Sequence, residues 1–167
     1  RKIAGGYGEG TLSSDERTIA EDIFRVMVRD AEVRVREALA VNLKTCEFLP
    51  HEVAKSLAED VDQVSLPMLQ YSSVLTEEDL IEIVSRADEV KHLAVASRAH
   101  VSQGVSAAII EHGNTQAVTT LVGNEGAEIS EESLDRALKD HGTNAQLGER
   151  MALRAKLPVG IAERLVS

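Results

Sequence analysis

The feature that most constrains the fold is a helix-start residue that recurs at nearly constant spacing. The start residues are Pro50, Thr76, Ser102, Ser130 and Pro158, which lie 26, 26, 28 and 28 residues apart. Ser and Thr side chains accept hydrogen bonds from the free N–H groups of a first helical turn, and Pro has no such group to satisfy. Recurrence at a period of about 20–50 residues is the signature of a stacked repeat protein.

Apolar residues follow every start residue at helical spacing. The stripes are Val53, Ala54 and Leu57; Leu80, Ile83 and Val84; Val105, Ile109 and Ile110; Leu134, Ala137 and Leu138; and Ile161, Ala162 and Leu165. Such spacing places the apolar side chains on one face of a helix, and a neighbouring repeat can cover that face. A polar break and a second, shorter helix follow in each unit. The pattern therefore predicts an all-α fold made of helix pairs.

An additional, longer unit precedes the first of these starts. Its beginning at Ser13 matches a capping box with Glu16, and its junction Asp30-x-x-Val33-Arg34 resembles that of HEAT repeats, in which an Asp and an Arg connect successive repeats. We therefore predict a right-handed α-solenoid of about five to six HEAT-like helix pairs, forming one domain over residues 13–167. Because residues 1–12 are rich in glycine, we expect a flexible lead-in there.

Composition narrows the function classes. The formal net charge is −10, from 18 basic and 28 acidic residues, and an acidic surface repels the phosphates of nucleic acids. The only cysteine is Cys46, so no internal disulfide forms. No apolar run reaches the roughly 18 residues that a membrane helix needs, and no signal peptide is evident. We expect a cytoplasmic protein, and a start at Arg1 without Met indicates a segment of a longer protein.

Residues that could carry chemistry are not arranged for it. The histidines are His51, His92, His100, His112 and His141, and none has the close spacing to Cys or His that metal sites show. Cys46 has no neighbouring base in the sequence to activate its thiol. The acidic residues at helix starts interact favourably with the helix dipole, which explains them without catalysis. We therefore expect no catalytic residue, metal or cofactor, and no enzyme activity.

Several runs of sequence, in order along the chain, carry a resemblance to a known family. The runs are residues 12–17, 29–36, 74–84, 124–130 and 157–165. Together they resemble a bacterial family catalogued as domain of unknown function 2336. The resemblance extends over nearly the whole chain from about residue 12 and implies a bacterial, cytoplasmic protein of helical repeats. It supplies no catalytic residue or cofactor.

The repeat architecture favours protein binding as the function. In α-solenoids the second helices usually line a concave face, which offers a broad surface and no enclosed pocket. The helix phase places these candidate contact residues on that face: Arg34, Arg36, Gln63, Lys91, His92, Thr119, Arg150 and Arg154. We expect a scaffold that binds an unidentified protein there. The arginines around residues 25–36 form either a salt-bridged surface or a patch for an acidic partner.

Two other interpretations stay open. One is a nucleic-acid-binding HEAT-like protein or a base-processing enzyme, which needs a basic groove and aromatic residues that stack on bases. The chain disfavours it, because acidic residues outnumber basic ones and its aromatic residues are only Tyr7, Phe24, Phe48 and Tyr71. In the other interpretation, this segment oligomerises or positions a catalytic part outside it. The sequence leaves the oligomeric state undetermined.

Overall fold

The computed structural model describes residues 2–167 of the chain, with side chains from residue 3 onward. In this range twelve α-helices form, and the only β-type pairing is an isolated bridge between Val101 and Ala127. The all-α prediction is therefore confirmed. The helices are α1 (Lys2–Gly8), α2 (Ser14–Met27), α3 (Val33–Leu43), α4 (His51–Ala58), α5 (Asp62–Tyr71), α6 (Glu77–Arg86), α7 (Glu89–Ala96), α8 (Gln103–His112), α9 (Thr115–Val122), α10 (Glu131–His141), α11 (Ala145–Ala152) and α12 (Val159–Val166). Across residues 2–167, every helix is too short or too polar to cross a membrane.

The predicted helix starts are confirmed, because the signals that mark them act locally. Ser102 and Ser130 accept N–H hydrogen bonds in the first turns of α8 and α10, while Pro50 and Pro158 immediately precede α4 and α12. The predicted capping box also forms, since Ser13 N donates to Glu16 Oε2 at 2.8 Å and its hydroxyl accepts from Glu16 N. We call the even-numbered helices from α2 the first helices, and the odd-numbered helices from α3 the second helices.

The chain divides into two compact units between Asp79 and Leu80, within α6. In the first unit, α3 packs against α1, α2 and α5, and α4 packs against α5. Phe24, Leu43 and Met68 are among its buried core residues. The prediction of a single domain over residues 13–167 stays a prediction.

In the second unit, helices of the same kind pack side by side. The second helices α7, α9 and α11 are neighbours in that order, and so are the first helices α8, α10 and α12. The loops between them are joined by side chains: Asn124 Nδ2 donates to Ala96 O at 2.9 Å and to Arg98 O at 2.8 Å. Arg154 donates to Val122 O at 2.8 Å in the same way. Asn124 and Arg154 thereby connect the segments that follow α9 and α11 with the segments that follow α7 and α9.

The expectation of a flexible lead-in over residues 1–12 is wrong for the part that the structure describes, and Arg1 lies outside the described residues. Lys2–Gly8 form α1, and Tyr7 on this helix is fully buried. The Tyr7 hydroxyl donates to Glu21 Oε1 at 2.7 Å and also contacts the backbone oxygen of Phe48. The glycines weaken local helix propensity, but burial of one aromatic side chain outweighs that weakness.

Candidate functional site

Acidic residues are unevenly distributed between the two kinds of helix. The first helices carry 15 acidic and 7 basic residues, whereas the second helices carry only four of each. The acidic residues of the second helices are Glu37, Asp62, Glu89 and Glu149, and the basic ones are Arg34, Arg36, Lys91 and Arg150. The negative charge of the helices therefore lies on the first helices, and the second helices are electrically balanced.

In the first unit the second helices α3 and α5 lie side by side and present an exposed surface, which we call the α3–α5 face. Its exposed members are Arg34, Ala38, Val41 and Asn42 on α3 and Gln63 and Tyr71 on α5. The two helices also touch through the ammonium group of Lys44, which lies 4.7 Å from the centre of the Tyr71 ring. None of the six exposed members is acidic. The face combines one arginine, one aromatic ring, two amides and small apolar groups.

Arg34 is an exposed cation that no other group neutralises. Among residues 2–167 it takes part in no hydrogen bond or ion pair, in contrast to Arg25, whose guanidinium contacts Glu21, Asp22 and Glu52. An exposed guanidinium presents several donors in a fixed planar array that matches a carboxylate. Arg34 is thus the one residue of the α3–α5 face that attracts an anion.

Gln63, also predicted as a contact residue, is exposed on α5 and offers an additional acceptor. Pro67 lies four residues further along the same helix and has no N–H group. The N–H that would normally bond to the backbone oxygen of Gln63 is therefore missing. The exposed side-chain amide of Gln63 can donate and accept hydrogen bonds on this face.

Arg36 is not available for a partner, which corrects its predicted role. Its guanidinium binds both carboxylate oxygens of Asp60, at 2.6 and 2.9 Å, and also donates to Asp30 O at 2.6 Å. The hydrogen bond with Asp60 raises the pKa of Arg36. The resemblance to a HEAT junction assigned the connecting role to Arg34, whereas in the structure it is Arg36 that forms the ion pair with Asp60, in the loop before α5.

The helix-phase prediction is also wrong for His92 and Thr119, whose exposed fractions are only 4% and 5%. His92 Nε2 lies 2.7 Å from Val84 O, inside the second unit. The second helices there have neighbours on several sides, so that polar residues on them can be buried as readily as apolar ones. Neither residue can line an exposed surface.

Arg150 and Arg154 bind backbone carbonyls of α9 and of the loop that follows it. Arg150 Nη1 donates to Thr119 O at 3.2 Å, and Arg154 Nη2 donates to Ala127 O at 2.7 Å. Lys91, the remaining predicted contact in the second unit, is half-buried on α7. Of the eight predicted contact residues, Arg34 and Gln63 are brought together on one exposed surface.

A cavity that the sequence did not predict lies between α1, α2 and α3. Its volume is about 150 Å³, and side chains of all three helices line it. The lining residues are Ile3, Ala4, Ile23, Phe24, Met27, Ala38, Leu39 and Asn42. The apolar stripe along α2 was the available signal, but α1 was expected to be unfolded. The cavity borders the α3–α5 face, since Ala38 and Asn42 belong to both.

A cluster of charged groups connects α4 with the start of α6. The buried Asp79 carboxylate lies 2.6 Å from His51 Nε2 and 3.5 Å from Lys55 Nζ, and it accepts the Thr76 N–H at 2.9 Å. Burial alone would raise the pKa of Asp79, but the hydrogen bonds from His51 and Thr76 outweigh it. The pKa of Asp79 is therefore lower than its ordinary value.

This cluster predicts a specific pH dependence of stability. A carboxyl group whose pKa is lower in the folded state contributes stability above its unfolded pKa, and that stability is lost as pH falls through the folded pKa. We expect Asp79→Asn to lower the urea midpoint at pH 7, and the difference from the wild type to shrink below about pH 4. Glu78→Gln, at an exposed position of the same turn, removes only an interaction with the helix dipole and should lower the midpoint much less. A constant difference for Asp79→Asn across pH 3–7 would contradict this assignment.

The structure is thus that of an all-α protein whose α3–α5 face exposes one arginine and no acidic residue. The chain belongs to the bacterial family described as "Uncharacterised protein conserved in bacteria", domain of unknown function 2336, whose model matches residues 64–167. The resemblance noted in the sequence is thus confirmed for this family, although the runs at residues 12–17 and 29–36 precede the matched part. No curated protein and no solved structure matches the chain.

Proposed function

We propose that this chain is a protein-interaction scaffold of the bacterial cytoplasm that binds a partner protein on the α3–α5 face. The observation that carries the proposal is the charge distribution: acidic residues are concentrated on the first helices, while the second helices are balanced. The cores of protein interfaces are depleted in charged residues relative to the rest of a protein surface. A charge-poor face on an acidic molecule has this property.

The side chains on this face suit protein binding. Interfaces are enriched in aromatic residues and arginine, and both types dominate binding energy where they occur. Tyr71 is 50% exposed and Arg34 is exposed without an ion pair, so both are free to be covered. The free guanidinium favours a partner that presents a carboxylate. The partner is therefore acidic at the point of contact with Arg34.

We further propose that the helices build a right-handed α-solenoid of the HEAT-like kind. The helix starts recur at 26–28 residues, and in the second unit helices of the same kind pack side by side. Solenoid repeats contact their neighbours in sequence and expose extended surfaces that bind other proteins. This architecture supports a binding role without chemistry of its own.

The proposal predicts that binding depends on Arg34. Immobilised chain is exposed to native bacterial lysate, retained proteins are identified by mass spectrometry, and the purified partner is titrated by calorimetry. Arg34→Glu should weaken binding at least about tenfold, because it replaces an attractive charge with a repulsive one at the contact. Lys156→Glu, which makes the same change of charge at an exposed position of the second unit, should bind as the wild type does.

Two results would contradict the proposal. The first is that the captured partner binds the wild type and Arg34→Glu with the same affinity. The other is retention of nucleic acid that is lost at high salt, because phosphate contacts depend strongly on salt and would favour the nucleic-acid interpretation.

A further inference from the structure

The cavity between α1, α2 and α3 is a pocket with an apolar interior and one polar group at its edge. Ile23, Phe24 and Leu39 form its walls, with Phe24 and Leu39 themselves buried in the core. Asn42 is exposed and uses its Nδ2 group to bond Ala38 O at 2.6 Å, so that its side-chain oxygen is free to accept. A charged ligand would lose its hydration here without gaining a partner of opposite charge. The pocket accepts an uncharged, mainly apolar group.

The volume of the cavity restricts the size of that group. It measures about 150 Å³, and a dry apolar cavity of about this size holds a benzene molecule. A phenyl ring therefore fills it, whereas a methyl group leaves most of it empty. A phenyl ring that enters the cavity removes apolar surface of its walls from water, which is favourable.

The position of the cavity connects it to Arg34. Arg34, Ala38 and Asn42 follow one another at four-residue intervals along α3, and the last two line the cavity. At a rise of about 1.5 Å per residue, Arg34 lies about 6 Å along the helix axis from Ala38 and about 12 Å from Asn42. One short segment of a partner can thus reach both the cavity and the free guanidinium.

We propose that the cavity receives a phenylalanine side chain of the partner protein, from an acidic segment whose carboxylate binds Arg34. This inference rests on the proposed function and names the chemistry of its partner. The apolar anchor enters a pocket beside the α3–α5 face, and the carboxylate sets the direction of the segment. Interfaces commonly gain most of their affinity from a buried anchor of this kind.

The experiment follows the methyl signals of Ile23, Met27 and Leu39 by NMR during titration with defined probes. Toluene tests the cavity alone, and the blocked peptide acetyl-Glu-Glu-Ala-Ala-Phe-amide tests cavity and guanidinium together. Both should shift these signals. The same peptide with Phe replaced by Ala should not, and the peptide with Gln in place of both Glu residues should bind at least about fivefold more weakly.

Variants of the chain provide matched controls. Ala38→Leu places a larger side chain in the cavity without unfolding the helix, so it should abolish the shifts while its melting temperature stays equal or rises. Ile19→Leu changes an exposed residue of α2 that lies outside both the cavity and the α3–α5 face, and it should leave the shifts intact. Arg34→Glu should weaken binding of the peptide but leave binding of toluene unchanged.

The outcomes separate this inference from the proposed function. Absence of toluene shifts, or equal binding of the Phe and Ala peptides, overturns the inference. A captured partner whose affinity is lowered by Arg34→Glu but unchanged by Ala38→Leu overturns the inference about the cavity. The proposed function would remain intact. If both substitutions lower the affinity of the captured partner at least about tenfold, the result supports the proposed function and the inference about the cavity.

Discussion

Replacing Gly126 with alanine should destabilise the second unit by about 3 kcal/mol, because the added methyl group has no space. A Cβ atom at this position would lie 1.9 Å from Ala99 O. The obstacle is backbone, and it is held in place, since Val101 N donates to Gly126 O at 3.1 Å and Glu128 N to Val101 O at 2.8 Å. Relief of the clash would require these two loops to separate.

Gly148→Ala is the matched control, because it makes the same chemical change in open space. Nothing lies within 4 Å of a Cβ atom at Gly148, which is inside α11. Alanine is the better helix former by about 1 kcal/mol, so this variant should be more stable than the wild type. Urea unfolding followed by circular dichroism gives both values. Equal effects of the two substitutions would show that the loop contact at Gly126 is not close-packed.

Tyr7→Ala should also have a large effect, about 3–5 kcal/mol on the first unit, since it removes a fully buried aromatic side chain. The Tyr7 ring packs edge-on against Phe24 at 5.2 Å between centroids and lies 5.5 Å from the Arg17 guanidinium. Burial and the Glu21 carboxylate raise the pKa of Tyr7, so its hydroxyl keeps its proton and donates it. Between Ile3 and Gly8, the part of α1 whose side chains are described, Tyr7 is the most deeply buried residue.

Two variants separate the ring from the hydroxyl. Tyr7→Phe keeps the ring and removes only the hydrogen bonds, at a cost of about 1–2 kcal/mol. Tyr71→Ala removes a half-exposed tyrosine and should cost less than about 1 kcal/mol. Hydrogen exchange is a second readout, since the amides of Glu9 and Thr11, which donate to Gly5 O and Gly6 O, should lose protection in Tyr7→Ala. Protection that persists there would mean that α1 is held by contacts other than Tyr7.

The part of the fold that the sequence predicted depends on signals within one or two helical turns. The first N–H groups of three helices are satisfied by nearby side chains: by Ser13 together with Glu16 in α2, and by Ser102 and Ser130 in α8 and α10. The starts of these helices could therefore be identified without knowing the rest of the structure. The apolar stripes of the first helices were predictable for the same reason. Each first helix has an apolar face that must be buried and a polar face that can remain exposed.

The features that the sequence did not predict depend on contacts between distant residues. Helix α1 contains three glycines and is too short to be stable alone. The contacts of Tyr7 with Glu21, Phe24 and Phe48, the last of them 41 positions later, show why it folds. In α7 the apolar residue Val90 is 46% exposed while His92 is buried. Periodicity assigned the opposite phase, because a helix with several neighbours has no single buried stripe. Which of Arg34 and Arg36 forms an ion pair likewise could not be predicted without the position of Asp60 in the structure.

The hydrogen bonds of Asn124 and Arg154 have a consequence for how the second unit acquires its structure. They connect residues that are only 26–32 positions apart, so no loop much longer than one repeat has to close before they form. Contacts of such limited sequence separation favour rapid folding and growth from any starting point along the chain. Once Arg154 binds, however, three carbonyls of the preceding loop depend on it. Opening of the segment that holds Arg154 should therefore weaken the segment Val122–Ala127, so that unfolding spreads from one helix pair to the pair before it.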